Sequence, residues 1–273
     1  MEMLSNSVFD ADKTKQTRIK YGQSAASFFL VLIGLIMLLL FSLAFSVCIG
    51  IAGGNIRILA DAIMHPVSAS DIGKIMIDMR IPRALAACLT GAAFALAGAV
   101  MQGLTRNPLA DAGLLGINAG AGLFVALSVA LLPSASSIIT ILSAFVGASF
   151  AVILVYGFGA GKRKTESFRL ILAGAAISAL LTAMSQAVSI AFGIAKVLSF
   201  WSAGSLSGIT WQSLGLIVPF IIVAGIIGFA LSGRLSALAL GEGSAIGLGI
   251  NVQLVRLIGI LVVLLLAGQA FRL

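Results

Sequence analysis

The sequence predicts an all-α protein, a bundle of helices that crosses a membrane several times. Of the 273 residues, 60% are hydrophobic and only 10% are charged, and the mean hydropathy is +1.16. A soluble domain carries about 25% charged residues, whereas a chain that faces lipid needs very few. The composition therefore excludes a soluble enzyme and a disordered linker. It also excludes a nucleic-acid-binding domain, because the 17 Lys and Arg residues lie in short clusters between apolar runs.

Seven apolar runs are each close to the length of about 20 residues that a helix needs to cross the hydrocarbon core. They cover residues 25–50, 84–103, 113–132, 138–160, 168–192, 213–232 and 254–270. Residues 1–24 form a polar tail, and residues 25–273 are predicted to form one transmembrane domain. The two cysteines, Cys48 and Cys88, lie in apolar stretches. No spacing in the sequence predicts a disulfide, a metal site, a cofactor site or a catalytic group.

The distribution of charge predicts the orientation of these runs. If the N-terminus lies inside, 11 basic residues fall on the inner side and six on the outer side, as the positive-inside rule favours. The only long outer segment, residues 51–83, then contains Arg57, Arg80 and Arg83. Two interpretations stay open for these arginines. They are either snorkelling groups at helix ends or partners for carboxylates of a protein that docks on this side.

The segment from Arg80 to Gly122 contains the most distinctive pattern. Pro82 predicts the start of a helix. Along that helix Gly91, Ala95, Gly98 and Gln102 fall on one face, where another helix backbone can approach closely. Asn107 and Pro108 then break the chain, and Asp111 is expected to cap the helix that follows. By residue type alone, this pattern indicates helix packing and a capped turn.

Two further segments contain polar residues in regular positions. In the fifth run, one stripe contains Gly174, Ser178, Thr182, Ser185, Gln186 and Ser189. Such a stripe serves either helix packing or a water-filled path. On the inner side, residues 233–253 are too polar and glycine-rich to span a membrane. Their apolar residues at positions 235, 238, 240, 246 and 248 predict short amphipathic helices at the membrane boundary.

These segments together resemble the FecCD-type permeases, the membrane subunits of ABC importers for iron-siderophores, haem and cobalamin. The resemblance is carried by RIPR at residues 80–83, the small-residue helix ending in Gln102, and NPLADAGLLG at residues 107–116. It continues through RLILAGAAIS (169–178), FWSAGSLSGITW (200–211) and SGRLSALALGEGSAIGLGINV (232–252). The resemblance implies a multi-pass permease of the bacterial inner membrane, dimerising with itself or a homologue. An iron-siderophore is the commonest cargo, ahead of haem and cobalamin.

The resemblance also implies partners and residue roles. ATP hydrolysis is expected in separate cytoplasmic ATPase subunits, coupled through residues 233–253 with Leu240, Gly241, Glu242, Ser244, Gly247 and Gly249 at the contact. An extracytoplasmic substrate-binding protein is expected to dock on Arg80 and Arg83, with Arg57 as a further candidate. The translocation path or its gate is expected to include Gln102, Asn118, Thr165, Ser167, Ser178, Thr182, Ser185, Gln186 and Ser189.

The sequence departs from the family in one respect. Seven predicted helices stand against the family's roughly ten, and the later Gly-Pro-Ile-Gly-Phe-type motif and Pro-His pair are absent. One alternative is therefore a truncated chain that is inactive in transport, or that acts as an assembly partner. A secondary transporter driven by an ion gradient is less favoured, because no Asp or Glu lies within the seven runs.

Overall fold

The computed structural model describes residues 26–50, 53–65, 70–134, 136–159, 166–203 and 206–270, and all regular structure within these ranges is helical. The helices are α1 (Ala26–Cys48), α2 (Ile56–Met64), α3 (Asp71–Ile75), α4 (Ile81–Thr105), α5 (Ile117–Leu131), α6 (Ser137–Gly159), α7 (Glu166–Ala191), α8 (Ala195–Ala203), α9 (Trp211–Ala230), α10 (Ser232–Ala239), α11 (Glu242–Gly247) and α12 (Val252–Ala270). The prediction of an all-α helical bundle is confirmed.

The chain divides into two compact units, Met1–Arg80 and Ile81–Leu273. In the first unit α1 is apolar, and its side chains are exposed along most of its length. Lipid would cover such a surface at no hydrophobic cost. The short helix α2 begins after Asn55, whose side chain accepts a hydrogen bond of 2.9 Å from the amide of Ile58. This cap satisfies one of the amides that a helix start leaves unpaired.

The second predicted span begins earlier than expected. The α-helix α4 begins at Ile81, beside Pro82 as predicted, but it continues a helical backbone that already starts at Asp71 and extends to Thr105. Ser70 caps this earlier start, because its hydroxyl accepts a hydrogen bond of 3.2 Å from the amide of Gly73. The residues before α4, Met76–Arg80, form a π-helical turn. A π turn widens the backbone, and such turns are a common way to admit an irregularity such as proline within a helix.

In the second unit, α4, α5, α6, α7, α9 and α12 share one hydrophobic core. Its members are mostly small or branched aliphatic side chains, among them Ala97, Leu115, Ile117, Val155 and Val263. Small side chains allow neighbouring helices to approach closely, which is how helices associate where water does not drive their packing.

Helices α5 and α6 approach each other closely at Gly120 and Gly147. A Cβ atom at either glycine would overlap the carbonyl oxygen of the other, and a Cβ at Gly120 would also lie 2.6 Å from the Cβ of Ala151. Only glycine fits at these two positions. Packing therefore explains the glycine at position 120 of α5.

The predicted spans correspond to helices in the structure. Among the described residues, five helical segments are long and apolar enough to cross a membrane, and α5 and α12 are shorter apolar helices in the positions of the third and seventh runs. The third run differs at its start. A 3₁₀ turn, Ala112–Leu115, and Gly116 in the left-handed conformation, with φ of +68°, precede α5. Glycine adopts this conformation without the steric cost of a side chain.

Candidate functional site

The segment between α9 and α12 forms two short helices, as the sequence predicts. Gly241, with φ of +116°, separates α10 from α11, and Gly249, with φ of +76°, ends the segment. Both values lie in the region that side chains rarely adopt, so these two glycines allow the sharp reversals between helices. Gly247 is the last residue of α11, and Ser244 is exposed on it.

The apolar residues of this segment divide into two groups. Leu235 and Leu238 are buried, and Leu235 packs against Gly103 of α4, where a Cβ would lie 3.2 Å from the Leu235 Cβ. By contrast, Leu240, Ile246 and Leu248 are 74%, 64% and 66% exposed. The prediction that the apolar residues of this segment pack inward is therefore confirmed for Leu235 and Leu238. The other three form an exposed group that we call the apolar tip.

Glu242, the first residue of α11, pairs with two arginines. Its Oε1 atom lies 3.5 Å from Nη2 of Arg106, which follows α4, and it also accepts a hydrogen bond from Nη2 of Arg256, the fifth residue of α12. The side chains of Glu242, Arg106 and Arg256 are 35%, 35% and 19% exposed. One carboxylate thus connects the end of α4, the start of α11 and the start of α12.

The chain between α4 and α5 is held by polar side chains at three points. Gln102 Nε2 donates to the carbonyl of Pro108 (3.1 Å), Asn107 Oδ1 accepts from the amide of Leu109 (2.9 Å), and Asp111 Oδ1 accepts from the amide of Gly113 (2.5 Å). Asp111 therefore caps the 3₁₀ turn ahead of α5 rather than α5 itself, because Gly116 intervenes. Gln102, a predicted path residue, holds this turn while its side chain stays exposed.

Arg80 binds backbone carbonyls at the end of α1. Its Nη1 atom donates to the carbonyls of Val47 (3.1 Å) and Cys48 (3.5 Å), and its Nη2 atom donates to the carbonyl of Gly53 (2.8 Å). The last carbonyls of a helix have no partner within it, so a cation there satisfies them and stabilises the helix dipole. In this structure Arg80 has a structural role within the first unit.

The other two predicted docking arginines differ in their surroundings. Arg83 Nε donates to the carbonyl of Leu206 (3.2 Å), in the 3₁₀ turn that precedes α9, and its side chain is half-buried. Arg57, in the first turn of α2, is exposed. Of the three, Arg57 is the one whose side chain is most accessible to a partner.

The predicted polar stripe of α7 is divided by the packing. Ser185 and Ser189 are buried, and Ser185 Oγ donates to the carbonyl of Gly122 on α5 (3.2 Å). Thr182 and Gln186 are exposed. A six-residue stripe at spacings of three and four is wider than the contact that one neighbouring helix makes, so some of its members pack and others do not.

Four further predicted path residues remain, and the structure describes the side chains of two of them. Ser178 Oγ is buried without a hydrogen-bond partner among the described residues, and a Cβ at Gly116 would lie 3.2 Å from it. Asn118 is exposed near the start of α5. Thr165 lies outside the described residues, as does the side chain of Ser167.

The sequence reasoning missed Arg106 and Arg256 as members of a site, since both were counted only as charges of the inner side. A signal was present, because Glu242 is the only carboxylate in residues 233–253. Arg106 and Arg256 were expected on the same side of the membrane as this carboxylate. Such a carboxylate predicts an ion pair with one of these arginines.

Apolar helices of spanning length, joined by a segment that contains two short helices, define a multi-pass membrane protein. The sequence model of the FecCD transport family matches residues 37–273. The chain belongs to the FecCD transport family.

Relatives and a solved structure agree with this assignment. The iron(3+)-hydroxamate import system permease protein FhuB of Bacillus subtilis (strain 168) is 34% identical over 263 residues, which cover 94% of this chain and 67% of that protein. The ferric enterobactin transport system permease protein FepD of Escherichia coli (strain K12) is 37% identical over 239 residues, covering 87% and 71%. A solved structure described as an inward-facing conformation of a metal-chelate type ABC transporter superposes with a TM-score of 0.74 at 26% identity, covering 88% of this chain and 75% of that chain.

Proposed function

We propose that this chain is the membrane-spanning permease subunit of an ATP-binding-cassette importer that takes up a ferric siderophore. The observation that carries the proposal is its membership of the FecCD family, together with two relatives whose names describe permeases for iron(3+)-hydroxamate and ferric enterobactin. In this proposal the chain performs no covalent chemistry. It forms the path with a second permease subunit, identical or homologous, and ATP is hydrolysed by partner subunits.

The ATPase binds at the apolar tip in this proposal. Leu240, Ile246 and Leu248 are apolar and exposed, and they lie beside the charged group around Glu242. Interfaces commonly combine such an apolar centre with a polar rim. In this proposal the segment lies on the cytoplasmic side of a bacterial inner membrane, with the N-terminus inside, and the excess of basic residues on this side supports that orientation.

A substrate-binding protein docks at the opposite end of the spans. Arg57, in the predicted outer segment 51–83, is exposed and suits carboxylates of a partner, because a guanidinium holds a carboxylate with two hydrogen bonds. Within the first unit Arg80 orders the backbone through its bond to the carbonyl of Gly53, and within the second unit Arg83 does so through its bond to the carbonyl of Leu206. The path includes the exposed polar residues of α4, α5 and α7, namely Gln102, Asn118, Thr182 and Gln186.

Transport proceeds by alternating access. Closure of the ATPase dimer on ATP moves the α10–α11 segment, and the helices beside the path shift between outward-open and inward-open arrangements. The cargo is selected mainly by the binding protein that delivers it, so the polar residues of the path need only be compatible with a large chelate.

Uptake of radiolabelled ferric hydroxamate by cells that produce this chain with its ATPase and binding protein tests the proposal. Uptake that requires ATP and resists an uncoupler is expected, whereas uptake abolished by the uncoupler alone contradicts it. In a second arm, Leu240→Ser combined with Ile246→Ser is expected to reduce co-purification of the ATPase. Leu132→Ser, an exposed leucine at the other end of α5, is the matched control and leaves co-purification unchanged.

A further inference from the structure

Glu242 joins α11 to two longer helices through one carboxylate oxygen. Oε1 accepts hydrogen bonds from Nη2 of Arg106, 136 residues away along the chain, and from Nη2 of Arg256, 14 residues away. Arg106 directly follows α4, and Arg256 is the fifth residue of α12. A displacement of α11 therefore changes the electrostatic interactions that Glu242 makes with the end of α4 and with α12.

The apolar contacts of α11 are few by comparison. The helix has six residues, of which only Ala245 is buried, packed with Leu238 and Val252. Ile246 points its side chain outward, as do the flanking Leu240 and Leu248. So small a contact area holds a helix weakly, and the ion pairs become the main side-chain connection between α11 and the end of α4.

The backbone at Arg106 supports a specific role for its side chain. Its φ of +53° makes it the only residue other than glycine with a positive φ among the described ranges. The position just after a helix that adopts this conformation is usually glycine, because a side chain there is strained. An arginine is suited to this position when its guanidinium gains a partner, and that partner here is Glu242.

We infer that Glu242 is a positioning residue that transmits the movement of α11 to α4 and α12, rather than a contact residue for the ATPase. This inference rests on the proposed function, in which the ATPase binds the apolar tip. Force applied at Leu240, Ile246 and Leu248 moves α11, and the shared carboxylate moves the end of α4 and the start of α12 with it. The apolar tip provides binding and the three charged side chains provide coupling.

The connection is tested first on the chain by itself, reconstituted in lipid. A nitroxide spin label is attached to Ser244→Cys, an exposed position on α11, after Cys48 and Cys88 are replaced by Ala. Glu242→Gln keeps the size of the side chain but removes its charge, and it is expected to increase the mobility of the label. Arg169→Gln, which removes an exposed charge on α7, is the control and leaves the mobility unchanged. An immobile label in both variants overturns the inference.

The second test uses the assembled importer. Glu242→Gln and Arg256→Gln are each expected to reduce the amount of substrate taken up per ATP hydrolysed about tenfold, the size of effect expected when a group of interacting charges loses one member. The ATPase is expected to co-purify with both variants. Glu242→Asp, which keeps the charge, is expected to retain part of the uptake. The double variant is expected to be no worse than Glu242→Gln alone, because Glu242→Gln already removes the pair between Glu242 and Arg256. Losses that multiply, or loss of ATPase binding in Glu242→Gln, overturn the inference.

Failure of the proposed function and failure of the coupling role of Glu242 give different experimental results. If the ATPase does not co-purify with the unmodified chain, the proposed function fails, and the spin-label result still decides whether Glu242 holds α11. If the ATPase binds and uptake is unaffected by Glu242→Gln, the proposed function stands and the coupling role of Glu242 is wrong.

Discussion

Replacing Gly120 by alanine tests the packing of α5 against α6. The added methyl group would overlap the carbonyl oxygen of Gly147 and lie 2.6 Å from the Cβ of Ala151. Relieving this overlap requires the two helices to separate by roughly 1 Å, and a gap of that size removes a quarter to a half of the dispersion energy of each contact it opens. Overpacking of this kind costs about 2 kcal/mol, which is a change of roughly 30-fold in the ratio of folded to unfolded protein.

Gly122 on the same helix provides the matched control, because nothing lies within 4 Å of a Cβ built there. Alanine is favoured over glycine inside a helix by about 1 kcal/mol, and both variants gain this term. The difference between them therefore isolates the overlap.

The assay is thermal unfolding in detergent, followed by the reaction of the partly buried Cys88 with a thiol-reactive fluorophore. Gly120→Ala is expected to melt about 4–8 °C below Gly122→Ala. Equal melting temperatures would show that α5 and α6 are not in close contact at Gly120, and the packing argument would be refuted.

Two other predictions concern the arginine at the end of α1 and the polar residues of α7. Arg80→Lys loses the planar group that reaches three carbonyls, so deuterium exchange at the amide of Gly53 is expected to become about tenfold faster. Arg57→Lys is the control and leaves this exchange rate unchanged. Equal exchange rates in both variants would contradict the role of Arg80. Ser185→Ala is expected to lower the free energy of unfolding by about 1 kcal/mol with little effect on uptake. Gln186→Leu is expected to reduce uptake with little effect on the free energy of unfolding. The opposite pattern would show that Ser185 belongs to the path.

Local sequence patterns predict the positions of the helices and the segment that does not cross the membrane. The lengths of the apolar runs predict the helices, because every backbone group must be paired within the membrane. The polar, glycine-rich composition of residues 233–253 predicts that this segment does not cross, and the structure forms α10 and α11 there. In each case the information lies in residues that are neighbours along the chain.

The start of the second span shows the limit of such patterns. Pro82 is a strong signal for a helix start, yet Ser70 and Asp71 begin the helical backbone, and it continues past the proline. Two start signals 12 residues apart compete, and the outcome depends on a π turn that the sequence does not indicate.

By itself, the sequence determined the class of protein, the positions of its helices and the family to which it belongs. Only the tertiary structure decided which polar side chains meet: Arg80 with the end of α1, Ser185 with α5, and Glu242 with both Arg106 and Arg256. The physical reason is distance along the chain. Helix formation and membrane insertion depend on local composition, whereas a contact between residues 106 and 242 exists only after the intervening helices have packed.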